Sequence, residues 1–143
     1  RYELPRAHVA GAPLDMSFSG LKTAVLNLVH NAGQKGETLD LPGLAASFAA
    51  AVSDTLVPRT MEAAKRLGYG KVAVAGGVAA NTRIRADLER ACRRSGDKLY
   101  LPQLSLCGDN GAMIGCQAYY EYLAGRRGGL ELNAYATRSI ELG

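Results

Sequence analysis

The sequence predicts an α/β protein, helix-rich with few short strands. Apolar residues recur at helical spacing in four segments, and two short apolar runs, Lys71 to Ala75 and Lys98 to Leu101, enclose one of those helices. A strand, a helix and a strand in that order make a β-α-β unit, whose crossover is right-handed in nearly all cases. The chain of 143 residues, 48% hydrophobic, predicts a single domain and excludes a disordered one. No uninterrupted run of 18 apolar residues argues for a membrane span, and no basic segment leads into an apolar one near Arg1 as a secretory signal would. Because the chain begins at Arg1 rather than Met, we expect a piece of a longer polypeptide.

Residues 1–18 read as irregular, punctuated by Pro5, Gly11 and Pro13. Ser19 offers an N-cap to a helix whose face is Leu21, Ala24, Val25, Leu28 and Val29, closed by Gly33 and Gly36. A longer helical pattern follows from Pro42 to Leu67, with Leu44, Ala45, Phe48, Val52, Thr55 and Leu56 on one face. Pro58 lies inside it and predicts a kink or break, since proline has no N–H and its ring crowds the carbonyl four residues back. After the first strand and Gly76–Gly77, Ile84, Leu88, Ala91 and Cys92 form the inward face of a third helix, ended by Gly96. Asp109 opens the last helix, to about Leu123, and the stretch from Leu130 onward carries no clear pattern. Two short strands make no independent sheet. Either the N-terminal segment adds a strand or the rest of the sheet belongs to another part of the polypeptide.

Composition narrows the function less than the motifs do. The formal charge of +4 permits a polyanionic partner without demanding one. Much of it sits in Arg83, Arg85, Arg90, Arg93 and Arg94 and in Arg126–Arg127, a pattern that a solvated helix face also produces. Aromatic residues, at 6%, are too sparse for an extended base-stacking surface. Three cysteines, with no CxxC pair, support neither a disulfide framework nor a zinc site and suit a reducing, cytoplasmic setting. His8 and His30 are isolated, and neither HExxH nor a Ser/His/Asp set points to a protease.

Three motifs carry chemistry. In VAVAGGVAAN, Val72 to Asn81, two glycines after a strand let a ligand approach bare backbone, and the following helix N-terminus presents unpaired N–H groups. Asn81 can hydrogen-bond a ligand or serve as a helix N-cap, and Gly76–Gly77 can equally be a plain tight turn; GxGxxG is absent. In LCGDNGAMIG, Leu106 to Gly115, Asp109 is either an N-cap or a carboxylate facing a metal or phosphate, and Cys107 reads as a small packed side chain. In DMSFSGLKTAV, Asp15 to Val25, Lys22 sits in the first helical turn, where it reaches a phosphate or simply meets solvent.

Taken in order, these three motifs resemble the C-terminal half of the tRNA threonylcarbamoyladenosine-forming enzymes, the TsaD/Gcp family formerly labelled O-sialoglycoprotein endopeptidase or glycoprotease. The resemblance covers nearly all of residues 15–125. It implies a C-terminal lobe of the actin/hexokinase/heat-shock ATPase fold, and transfer of a threonylcarbamoyl group from threonylcarbamoyl-AMP to adenosine 37 of tRNA. It implies that Asp109 is a ligand of an iron ion, or of zinc, and that Asn81, Gly76 and Gly77 contact the adenylate. Lys22 is placed near the cleft or the tRNA path. A paralogous protein and an ATPase are the implied partners. The sequence departs from the family in two places. Cys107-Gly108-Asp109-Asn110 replaces Cys-Thr-Asp-Asn, so a hydroxyl beside the aspartate is missing, and the family's HxxxH pair and phosphate loop do not occur here. One carboxylate does not hold a catalytic ion, so we expect the chain by itself to be metal-free and inactive. Two other readings stay open: the ATP-binding lobe of a small-molecule kinase of the same fold, or a non-enzymatic assembly module. The apolar faces of the first two helices would also favour self-association.

Overall fold

The computed structural model describes residues 2–6, 8–134 and 136. The chain divides into two compact units, Arg1–Gly108 and Asp109–Gly143.

The first unit is organised on one long helix. α1 spans Ser19–Lys35 and α2 spans Leu41–Leu67. β1 (Lys71–Ala73) leads through a short 3-10 turn, Gly77–Ala80, into α3 (Thr82–Ser95), which returns to β2 (Lys98–Tyr100). β1 and β2 pair in parallel, with Lys71, Val72 and Ala73 opposite Lys98, Leu99 and Tyr100, as the β-α-β reading requires. Among the described residues the N-terminal segment adds no strand. Its Leu4 is buried instead with Leu21 of α1 and with Leu44 and Ala51 of α2.

α2 serves three buried clusters in succession. Its first half closes on α1 and the N-terminal segment, while Val57 packs with Ile84, Leu88 and Ala91 of α3, and Ala64 packs with Val72 and Cys92. The buried stripe therefore shifts along the helix. Leu44 and Thr55 are buried as the periodicity expects, but Ala45 and Phe48 are exposed and Ser53 and Val57 are buried. Thr55 enters the interior because its hydroxyl donates to the Ala51 carbonyl at 3.0 Å, leaving no polar atom unpaired. With an 18-residue stretch of mean hydropathy 1.2, α2 has the length and composition of a membrane span. Here it is the helix that all three buried clusters share.

Several local expectations are corrected. α2 runs through Pro58 without a break, because packing on both sides of the proline outweighs the one backbone bond that it removes. Ser19 is the first residue of α1 rather than its cap, Phe18 holds the cap position, and Gly33 lies inside the helix, which ends at Gly36 with φ 68°. Asp40 caps α2 by accepting from the Gly43 N–H at 3.1 Å. β1 and β2 are shorter than the apolar runs that announce them.

The second unit contains α4 (Gly111–Leu123), whose N-cap is Asn110 and not Asp109; the Asn110 side chain accepts from the Met113 N–H at 3.0 Å. None of the residues of α4 is buried.

Candidate functional site: the glycine turn and its surroundings

The backbone between β1 and α3 favours glycine at its first bend. Gly76 has φ 82° and ψ 177°, a region that L side chains rarely adopt. A Cβ placed on either Gly76 or Gly77 would meet no atom within 4 Å, so both glycines face open space. Open backbone at this turn leaves the main chain uncovered by side chains. The Ala79 N–H donates back to the Gly76 carbonyl at 2.9 Å and closes the 3-10 turn.

Asn81 stands at the end of this turn as the N-cap of α3. Its Oδ1 accepts from the Arg83 and Ile84 N–H groups at 3.0 and 3.1 Å. The acceptor of the side chain is therefore spent on the helix, and what Asn81 can offer a ligand is its Nδ2 donor. Gly76, Gly77 and Asn81 are thus brought together in one exposed junction.

Sequence reasoning missed the residue that fixes this junction. Arg85, grouped above with arginines of a solvated face, turns inward. Its guanidinium donates to the Ala79 carbonyl at 2.7 Å and to the Pro102 carbonyl at 2.8 Å, and its Nη1 lies 3.8 Å from Cys107 Sγ. One planar fork thereby ties the glycine turn to the loop after β2. Nothing in the helical period marks Arg85, since its partners come from segments six, 17 and 22 residues away. Cys107 is buried, as expected of a packed thiol, and its Sγ lies 3.4 Å from the Gln103 carbonyl.

The other two sequence candidates are placed elsewhere. Lys22 is exposed on α1 and lines an apolar groove of about 590 Å³ with Phe18, Val25, Leu26 and Phe48, where no second cation joins it. Asp109 belongs to the second unit, is exposed, and makes no hydrogen bond or ion pair among the described residues. Among those residues no group of three or more His, Cys, Asp or Glu side chains could hold a metal ion. Asp109 alone does not amount to a metal site. All three cysteines, Cys92, Cys107 and Cys116, are free.

A parallel strand–glycine–helix junction with its main chain bared defines the first unit as an α/β module. Residues 1–116 match the model of the TsaD family, described as tRNA N6-adenosine threonylcarbamoyltransferase. The chain belongs to that family. It is 46% identical over 132 residues to the tRNA N6-adenosine threonylcarbamoyltransferase of Clostridium botulinum (strain 657 / Type Ba4), covering 92% of this chain and 39% of the relative. Against the protein of the same name from Geobacillus kaustophilus the identity is 49% over 133 residues, with the same coverage. Against that of Moorella thermoacetica it is 46% over 130 residues, covering 91% of this chain and 38% of the relative. The chain thus spans about two fifths of the length of these curated relatives.

Proposed function

We propose that this chain is the C-terminal lobe of an actin/hexokinase-like enzyme and forms one wall of the cleft in which a threonylcarbamoyl group passes from threonylcarbamoyl-AMP to N6 of adenosine 37 in tRNA, in the cytoplasm. The observation that carries the reading is the glycine junction, which lies inside the residues matched to the family and keeps both glycine faces open.

In this reaction the N6 amine attacks the carbamoyl carbon of a mixed anhydride. A C–N bond forms, the C–O bond to phosphate breaks, AMP leaves with the electron pair, and one N6 proton goes to solvent or a base. An exocyclic amine is a weak nucleophile, so orientation of both reactants supplies much of the rate. Gly76 and Gly77 give the adenylate a flat surface free of side chains. Asn81 adds an amide donor, aimed by the two helical N–H groups that its oxygen accepts. Arg85 keeps the turn from shifting. A metal ion would polarise the carbonyl or neutralise the phosphate when bound. We place Asp109 as one donor to such an ion, with iron or zinc as candidates. The described residues do not complete its ligand set, and no step is assigned through it. A paralogous protein and an ATPase remain the proposed partners.

The test is a chimera. The matched C-terminal residues of the Geobacillus kaustophilus relative are replaced by this chain, and threonylcarbamoyladenosine formation in tRNA is measured. We expect transfer by the chimera, its loss in Asp109→Ala with folding intact, and none by this chain alone. Phosphorylated small-molecule product without tRNA modification would establish the kinase reading instead.

A further inference from the structure

The arginines of α3 do not behave alike. With about 100° per residue, Arg83, Arg90 and Arg94 fall within about 40° of arc on one stripe of the helix, whereas Arg85 lies on its far side and Arg93 about 80° away. The stripe borders a groove of about 200 Å³ against α2, lined also by Ser53, Asp54, Val57, Pro58 and Asp87. Asp87 lies recessed in it, its side chain 14% exposed. Its carboxylate accepts from Ser53 Oγ at 2.6 Å and from Arg83 Nε at 2.5 Å, and pairs with Arg90. The carboxylate thus has three partners, and it holds two guanidinium side chains that stay about half exposed. Asp54, on the α2 side, is taken by Arg6 at 2.6 Å. Arg94 has no hydrogen bond or ion pair among the described residues. Four arginines against two neutralised aspartates leave the rim of the groove positive. A solvated face held by ion pairs would balance its charges; this one does not.

We propose that this stripe holds the phosphodiester backbone of an RNA strand. The proposal rests on the tRNA reading above and extends it to a surface outside the glycine junction. Planar guanidinium forks match phosphate oxygens bidentately, as they do carboxylates. Two further features favour a phosphate backbone over an acidic peptide. The stripe is linear, about 16 Å from Arg83 to Arg94, or about five stacked nucleotides. It also begins two residues after Asn81, so an RNA strand whose adenosine approached an adenylate held at the glycine turn would pass its flanking phosphates along α3.

The experiment measures binding of the 143-residue chain to a labelled anticodon stem-loop RNA by fluorescence anisotropy across a salt series, with poly(U) and poly-glutamate as competitors. We expect a log–log salt dependence that Arg94→Gln lessens by about 0.7 to 0.9, with roughly tenfold weaker binding, and that Arg90→Gln/Arg94→Gln lessens by about twice that slope. Arg93→Gln, off the stripe, should leave the slope unchanged. Arg94 makes no bond to lose, so Arg94→Gln alone decides the matter if the double variant melts early by circular dichroism. Wild-type slope and affinity in Arg94→Gln would overturn the stripe while leaving the tRNA reading intact. No salt-dependent binding by the wild-type chain would also overturn it, and the chimera assay judges the tRNA reading separately. Displacement of the RNA by poly-glutamate more readily than by poly(U) would overturn it in favour of an acidic protein partner.

Discussion

α3 and α4 start in the same way and are held in opposite ways. Each is opened by an asparagine whose side-chain oxygen accepts helical N–H groups: Asn81 for α3, Asn110 for α4. α3 then buries Ile84, Leu88, Ala91 and Cys92 in the first unit, whereas α4 buries nothing and shows Met113, Ile114, Tyr119, Tyr120, Tyr122 and Leu123 to solvent. A cap and good helix formers suffice to define a helix, but only burial of a face fixes it within a fold, since short helices are marginal without tertiary packing. The candidate groups divide accordingly. The glycine turn precedes the packed helix and is braced by Arg85, while Asp109 precedes the unpacked one and makes no bond among the described residues.

The contrast predicts most sharply the behaviour of the two helices' thiols. Burial raises the pKa of Cys92 above its ordinary value, with a smaller contribution from Asp97, whereas Cys116 is exposed. With a thiol reagent at mildly alkaline pH, Cys116 should react fully while Cys92 stays unmodified until denaturant is added. The sign of the linkage follows. A raised folded pKa means that Cys92 contributes stability fully below the unfolded thiol value and loses it as pH rises through the folded one, so a Cys92→Ser/wild-type comparison of melting should narrow at strongly alkaline pH. Rapid modification of native Cys92 would break the contrast.

Core truncation comes next. Leu88→Ala should cost about 2–5 kcal/mol in urea denaturation, against about 0.5 kcal/mol or less for Ile114→Ala. Equal losses would mean that α4 has a core of its own. The turns before the two helices differ by less. Gly76→Ala forces an alanine to φ 82° and should cost about 1–3 kcal/mol, while Gly108, without a positive φ and with open space at its Cβ position, should accept alanine within about 0.5 kcal/mol. The smallest effect is at the caps. Asn81→Ala and Asn110→Ala should each cost about 1 kcal/mol of helix stability. For Asn81 the loss should lower the global unfolding midpoint. For Asn110 it should appear only as faster hydrogen exchange in the first turn of α4.

How much of this was legible differs between residues. The inward face of α3, Ile84 to Cys92, follows from a 3.6-residue period because α2 and the two strands cover the same face along the helix. The face of α2 did not follow, because α2 changes partners midway and its buried stripe moves from Leu44 to Ser53 and Val57. A proline inside an apolar pattern reads as a kink or a break, and the packing of both halves carries α2 through Pro58 without a break. Asn81 was legible as either cap or ligand-binding group, and the structure assigns its oxygen to the cap and leaves its amide.

By itself the chain order determined the local elements: the helical periods, the β-α-β unit, the glycine bend and the family that these motifs mark. Those depend on residues close in sequence, where backbone geometry and side-chain period act directly. Tertiary structure alone decided which arginine braces the turn, which three share a stripe beside α2, and which helix is buried. Those outcomes depend on groups distant in sequence meeting in space, and no local pattern records where a guanidinium will find its partner.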